Sequence, residues 1–414
     1  MVRRIRRSIG PGARESHANQ GGGASEMKSD AHACVLAVCG WKNSGKTTLL
    51  TEVIPALVRR GLRVAALKHD AHGLSVDHPG KDSDRLYRAG ATVSAQGPNE
   101  VFIRRHRFDI DELLDLVALL ARDHDLVLVE GHKGTPLPKI WLDRPPDTIA
   151  STAASTAKGG PSDELPPETT NVLARLPWGD GRAARLLEFI ESWLPARWRS
   201  RELYGAILIG GRSRRMGRPK HLIETGGATW FERIRSLLSP HVRRVVVLGA
   251  GELPATSPPG GETAPSTPID QDADGVLGAD CGSLLRLPDA PDASGPIAGL
   301  LAALRWAPHG AWLVCACDLP QLSAPAIEWL CAQRRPGRWA VLPRGESGRV
   351  EPLLAVYEPQ ARTLLAALRH EGIDAPRRLV GYAQVFTPEI PGELLASWCD
   401  RDTPAELDEL RGQS

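Results

Sequence analysis

The sequence of 414 residues predicts two three-layer α/β domains in series. An apolar run, a glycine loop and an amphipathic stretch follow one another at 34–60 and again at 203–238, the order strand, loop, helix. Apolar runs and helix-spaced segments go on alternating after each, as in a parallel sheet covered on both faces. At roughly 150 residues per domain, the length also asks for two or three units. Apolar residues make up 42% and charged residues 24%, an ordinary globular balance. The net charge of +2 provides no strong field for nucleic acid or a membrane. No apolar run approaches the roughly 18 to 20 residues that span a bilayer. Seven scattered cysteines with no CxxC pair fit buried thiols in a reducing cytoplasm rather than a disulfide framework or zinc ribbon.

Residues 1–30 carry five arginines before residue 15, then a glycine triplet. They lack the apolar segment of a signal peptide. Two readings stay open: a basic disordered arm, or a start assigned too early, with Met27 the true one. The first domain is expected over 31–197. Cys34–Cys39 is a buried strand, and Thr47–Arg60 a helix whose apolar residues keep helical spacing, with Pro55 expected to kink it. Gly61 ends that helix, and Leu62–Leu67 is a second strand. Leu113–Leu120 is a helix and Asp125–Val129 a further strand. Residues 145–170, rich in Pro, Ser, Thr and Ala, form a surface insertion. Arg182–Leu194 closes the domain as a helix, with 195–201 as linker.

The second domain is expected over 198–414, with strands at Leu203–Ile209, Arg244–Leu248 and Trp312–Ala316. Helices are expected at Thr229–Leu238 and Ile297–Trp306, and a low-complexity insertion at 251–283.

Gly40-Trp41-Lys42-Asn43-Ser44-Gly45-Lys46-Thr47 matches GxxxxGK[ST] between a predicted strand and a predicted helix. Its glycines let successive backbone N–H groups turn toward phosphate oxygens, and the helix N-terminus adds partial positive charge. Gly40, Asn43, Ser44, Gly45, Lys46, Thr47 and Thr48 are the expected nucleotide-binding set. Lys46 would reach the β and γ phosphates and the Thr47 hydroxyl would help hold Mg²⁺. Glu130, ending the strand LVLVE, is the acid expected to serve the same metal. The segment His69, Asp70, His72 and Asp77 has the residue types of a metal cluster, but no zinc spacing; a polar loop is the simpler reading.

The second glycine loop, Leu208-Ile209-Gly210-Gly211 running to Pro219-Lys220, is neither a Walker loop nor GxGxxG. Arg212, Arg214, Arg215 and Arg218 lie between its glycines and Lys220, donors suited to a triphosphate and its departing pyrophosphate. Lys220 is the sole lysine from residue 202 onward. Asp318, in CDLP just past a strand, sits where an open sheet has its crevice and where Mg²⁺ would find a carboxylate. Lys220, Asp318 and Arg215 are the expected catalytic groups, and Asp289 precedes GPIAG by six residues.

These motifs carry two resemblances. GWKNSGKTTL, RGLRVAALKHDAH, DHPGKDSDRLYRAGA and DLVLVEGHKGTPLPKIWL make residues 34–142 resemble the MobB-type P-loop proteins of molybdopterin-guanine dinucleotide biosynthesis. That implies GTP binding, weak hydrolysis and an adapter role. His132 stands where an aromatic residue is usual. LIGGRSRRMGRPK, Asp289 followed by GPIAG, and CDLP make residues 203–408 similar to the MobA-type molybdenum cofactor guanylyltransferases. The implied fold is a Rossmann-like nucleotidyltransferase sheet behind a P-loop NTPase-like one. Nucleotide contact is implied for Leu208, Ile209, Gly210, Gly211, Lys220 and Asp289, and Mg²⁺ for Asp318. The family's NxNTP appears as Asp400-Arg401-Asp402-Thr403-Pro404, with acids for both amides.

The implied reaction joins GMP from GTP to Mo-molybdopterin and releases pyrophosphate. Implied partners are molybdoenzymes, their chaperones or the molybdenum insertase; nucleic acid and membranes are not expected. A cytidylyltransferase is disfavoured by Gly210-Gly211 and GPIAG. A nucleotide-dependent adapter with a degenerate second domain is the rival from another class, favoured by the acidic DRDTP.

Overall fold

The computed structural model describes residues 34–68, 74, 76–106, 113–145, 164–210, 219–252 and 284–401. In the first part, β1 (Val35–Gly40) leads into α1 (Lys46–Arg59) and β2 (Val64–Lys68). Next come α2 (Asp82–Arg88) and the hairpin β3 (Val93–Gln96) with β4 (Val101–Arg104). Then follow α3 (Leu113–Ala121), β5 (Leu126–Glu130), β6 (Lys139–Leu142), β7 (Val172–Leu176) and α4 (Arg182–Arg199). The five long-range strands pair in parallel in the order β2-β5-β1-β6-β7. Alternation in β1 sorts the two faces. Leu36 and Val38 pack with Leu49, Val53 and Ile190 of α1 and α4, while Val35, Ala37 and Cys39 pack with Val117 of α3. That is the three-layer arrangement the alternation of elements predicts.

Three local expectations are corrected. The first helix runs through Pro55 to Arg59 as one element. The segment 195–201 is not a linker, because α4 continues through Pro195 to Arg199 and buries Trp198. The end of the expected insertion is tied down: Lys133 pairs with Glu168 at 2.6 Å, and the buried Lys139 ammonium donates to the Thr170 carbonyl at 2.6 Å. The rest of that insertion, the arm and most of 251–283 lie outside the described residues.

After three residues β8 (Leu203–Leu208) begins a second sheet. It is followed by the small ribbon β9 (Glu224–Thr225) and β10 (Ala228–Thr229), then by α5 (Trp230–Leu238). Thr229 caps α5 in a reciprocal pair with Glu232, satisfying two backbone donors at once. β11 (Val245–Leu248), β12 (Leu285–Leu287), α6 (Pro296–Trp306) and β13 (Ala311–Ala316) come next. Then come α7 (Ala324–Ala332), β14 (Ala340–Val341), β15 (Leu354–Tyr357), α8 (Ala361–His370) and β16 (Val385–Phe386). The order is β12-β11-β8-β13-β15-β14-β16. β15 is antiparallel to both neighbours, so this sheet is mixed. α6 and α8 cover one face, α5 and α7 the other.

The two sheets share one apolar cluster, in which Leu57, Trp198, Trp339 and Tyr357 are all buried. Buried polar contacts cross the same junction. Gln360 donates to the carbonyls of Ala121 and His124 at 3.2 and 3.1 Å. Next to it, within the second half, Arg334 pairs with Glu358 at 2.7 Å and Arg201 lies 3.8 Å from that carboxylate.

Candidate functional site

The GxxxxGKT loop leaves the carboxyl end of β1 and turns into α1. Gly40 has to be glycine, since a Cβ there would fall 2.6 Å from Ser44 Oγ and 2.7 Å from the Leu142 carbonyl. Asn43 (φ 61°) and Gly45 (φ 80°) take left-handed conformations that turn the chain back into the helix. The Lys46 ammonium folds over its own loop, donating to the carbonyls of Trp41 at 2.8 Å and Gly40 at 3.3 Å. Partial burial pulls its pKa down, with Glu130 opposing. Thr47 Oγ1 donates to the Glu130 carboxylate, 2.8 and 3.0 Å from its two oxygens. Two expected metal residues that are 83 positions apart in sequence thus meet at one sheet edge. A hydroxyl and a carboxylate are the hard oxygen donors that suit Mg²⁺. Thr48 follows on α1, and Ser44 is fully buried. His69, Asp70 and His72 lie outside the described residues; Asp77, which is described, accepts from Ser83 and Arg104.

In the second sheet β8 and β13 lie side by side in parallel, ending level at Leu208 and Ala316. Two residues on, Asp318 Oδ2 stands 3.0 Å from Lys220 Nζ. Lys220 opens a short helical turn, and the two side chains come from segments 98 residues apart. Leu208 and the buried Ile209 run into Gly210, whose φ of 106° requires glycine. Gly211 and Arg215 lie outside the described residues. Asp289 packs against α6: its Oδ1 lies 3.5 Å from where a Cβ on Gly299 would be. Burial pushes its carboxyl pKa up.

Asp318 opens on a cavity of about 500 Å³ whose lining includes Arg349, Glu351, Arg377, Arg378, Trp398 and Asp400. The Arg401 amide donates to the Asp318 carbonyl at 3.2 Å, so the DRDTP segment starts at this rim. Burial pushes the Glu351 carboxyl up, with Asp400 and Asp318 adding to the shift. Sequence reasoning missed Arg349, Glu351, Arg377, Arg378 and Trp398. Among forty-two arginines an Arg-Arg pair has no contrast, and only the fold gathers these residues. Among the described residues no group of three or more His, Cys, Asp or Glu is placed to hold a metal by itself, so Mg²⁺ here would rest on one or two carboxylates plus phosphates. No described helix is long and apolar enough to cross a membrane.

Comparison with known proteins follows this division. Residues 35–157 match the family described as molybdopterin guanine dinucleotide synthesis protein B, and 205–385 match the MobA-like NTP transferase domain. The chain is 32% identical over 171 residues to the molybdopterin-guanine dinucleotide biosynthesis adapter protein of Haemophilus influenzae, covering 39% of this chain and 89% of that protein. It is 30% identical over 194 residues to the molybdenum cofactor biosynthesis bifunctional protein of Synechocystis, covering 45% of this chain and 48% of that one. It is 31% identical over 154 residues to a probable molybdenum cofactor guanylyltransferase of Pelotomaculum thermopropionicum, covering 37% and 62%. In these last two the matched stretch spans less than two thirds of the relative. By its first half the chain belongs to the MobB family of molybdopterin-guanine dinucleotide synthesis proteins, and its second half is similar to the MobA-like NTP transferase domain.

Proposed function

We propose that this chain is a bifunctional molybdenum cofactor biosynthesis protein, dividing between α4 and β8. The second half transfers GMP from GTP to the phosphate of Mo-molybdopterin, and the first binds GTP as an adapter. The observation that carries this reading is the 3.0 Å contact of Lys220 with Asp318 at the mouth of the cavity.

The acceptor phosphate is already anionic at neutral pH, so no general base is needed. A phosphate oxygen of molybdopterin attacks the α-phosphorus of GTP, the bond to the bridging oxygen breaks, and pyrophosphate leaves. Catalysis then consists of holding the partners in line and offsetting charge. Lys220 and Arg215 would serve the leaving pyrophosphate. Leu208, Ile209, Gly210, Gly211 and Asp289 would contact the nucleotide. Arg377 and Arg378 are the cavity's candidates for the acceptor phosphate. Asp318 would hold Mg²⁺, which when bound supplies Lewis-acid polarisation of the phosphates. In the first half, Gly40, Asn43, Ser44, Gly45, Lys46, Thr47 and Thr48 would cradle GTP, and Thr47 with Glu130 would serve its Mg²⁺. Molybdoenzymes, their chaperones or the insertase are the proposed recipients of product, in the cytoplasm.

The test is pyrophosphate release by the full chain with Mo-molybdopterin and either GTP or CTP. Turnover with GTP and little with CTP is expected. Equal or faster turnover with CTP would replace the guanylyl reading by a cytidylyl one. No turnover with either would favour an adapter with an inactive second half.

A further inference from the structure

Trp178 keeps 44% of its surface exposed, although Trp141, Trp198, Trp230, Trp312 and Trp339 are almost wholly buried. It lies two residues past the end of β7, at the carboxyl edge of the sheet from which the GxxxxGKT loop leaves β1. Ligands of open α/β sheets bind outside that edge.

The ring's surroundings belong to the loop. A Cβ on Gly45 would stand 3.6 Å from Trp178 Cζ3. The Arg182 guanidinium lies over the indole, 4.9 Å from its centroid, and the same group donates to the Ser44 carbonyl at 3.0 Å. Two further donations, to the carbonyls of Asp143 and Leu176 at 2.9 Å each, hold Arg182 in place. One face of the indole is therefore backed by a fixed cation.

Strand order gives the direction of a ligand. Glu130 ends β5, on one side of β1, and pairs with Thr47; Trp178 follows β7, on the other side. If terminal phosphates and metal occupy the Thr47–Glu130 end, the nucleoside extends toward β6 and β7. We propose that Trp178, backed by Arg182, is the platform on which the base of the loop-bound nucleotide stacks. This rests on the GTP-binding reading of the loop. Every base has a π face, so such a platform supplies affinity without choosing the base.

The experiment is equilibrium dialysis of the full chain with radiolabelled GTP and ATP, and competition by inorganic tripolyphosphate. The component that Lys46→Ala removes defines the loop site. Stacking typically accounts for about 5- to 150-fold in affinity per base. Trp178→Ala should weaken GTP and ATP by a factor in that range and leave tripolyphosphate unchanged, whereas Trp178→Phe should recover most of the loss. Equal weakening of tripolyphosphate would show that the ring only props the loop, and unchanged GTP binding would leave no platform. Binding that Lys46→Ala does not reduce would instead sink the GTP-binding reading of the loop, and the platform with it.

Discussion

Asp125 of the first half of the chain accepts a hydrogen bond from the indole N–H of Trp339 in the second, at 2.7 Å. The same carboxylate accepts from the amides of Gly337 at 3.2 Å and Arg63 at 2.7 Å. Burial pushes its pKa up and the three donors pull the other way. A buried carboxylate is costly unless its oxygens are met, and here two of its three donors come from the other half of the chain.

Trp339→Phe keeps the ring and removes the donor, leaving the buried carboxylate one partner short. The expected cost is about 1–3 kcal/mol, read as a lower denaturation midpoint. A cycle with Asp125→Ala should show coupling; additivity within about 0.3 kcal/mol would mean that the contact carries no energy.

Asp318→Ala should lower guanylyl transfer about a hundredfold or more, the usual cost of losing one electrostatic group. Lys220→Ala should cost a comparable factor. Lys220→Arg should recover only part, because a planar fork does not replace a compact ammonium. Both side chains sit at the sheet's rim, so unfolding midpoints should hold. Wild-type pyrophosphate release by Asp318→Ala would remove it from the chemistry.

Glu130→Gln keeps the shape of the acid that faces Thr47 but not its charge. Nucleotide binding at the first loop should lose about 10- to 100-fold in apparent Mg²⁺ affinity, while binding measured in excess chelator stays the same. A loss of equal size with and without Mg²⁺ would assign Glu130 to the loop's shape instead.

Asp84 is held down to about 2, first by the Gly80 amide and then by Arg88 and Arg104. An unfolded carboxyl protonates near 3.8, so its stabilising effect is complete above that value. The effect falls away as pH drops toward 2. Amide protection factors across α2 and the β3–β4 hairpin should therefore fall between pH 4 and 2, more steeply in the wild type than in Asp84→Asn. Parallel profiles would exclude the carboxylate as the cause.

Much of this fold was legible because buried strands and their following helices stand close in sequence. β1 with α1, β8, β11 and β13 fall within a residue or two of where the apolar runs place them. The Thr47 and Lys220 loops were legible for the same reason, as glycine-bounded turns on strand ends. Periodicity carries no strand direction, so the antiparallel insertion of β15 was not readable from LAVY. The sequence predicts an end to α4 at Leu194, because Pro195 normally ends a helix; burial of Trp198 overrides it here. Asp125 looked like the first residue of a strand, since nothing local marks a partner more than two hundred positions away. Arg377 and Arg378 reach the cavity beside Asp318 only through the fold.

Between Arg199, where α4 ends, and Leu203, where β8 begins, there are only three residues. A tether that short leaves no room for one half to swing aside, and Gln360 and Trp339 fasten the two again at other points. The halves therefore travel as a single particle, and cutting the gene between them would expose surfaces that each was shaped to hide.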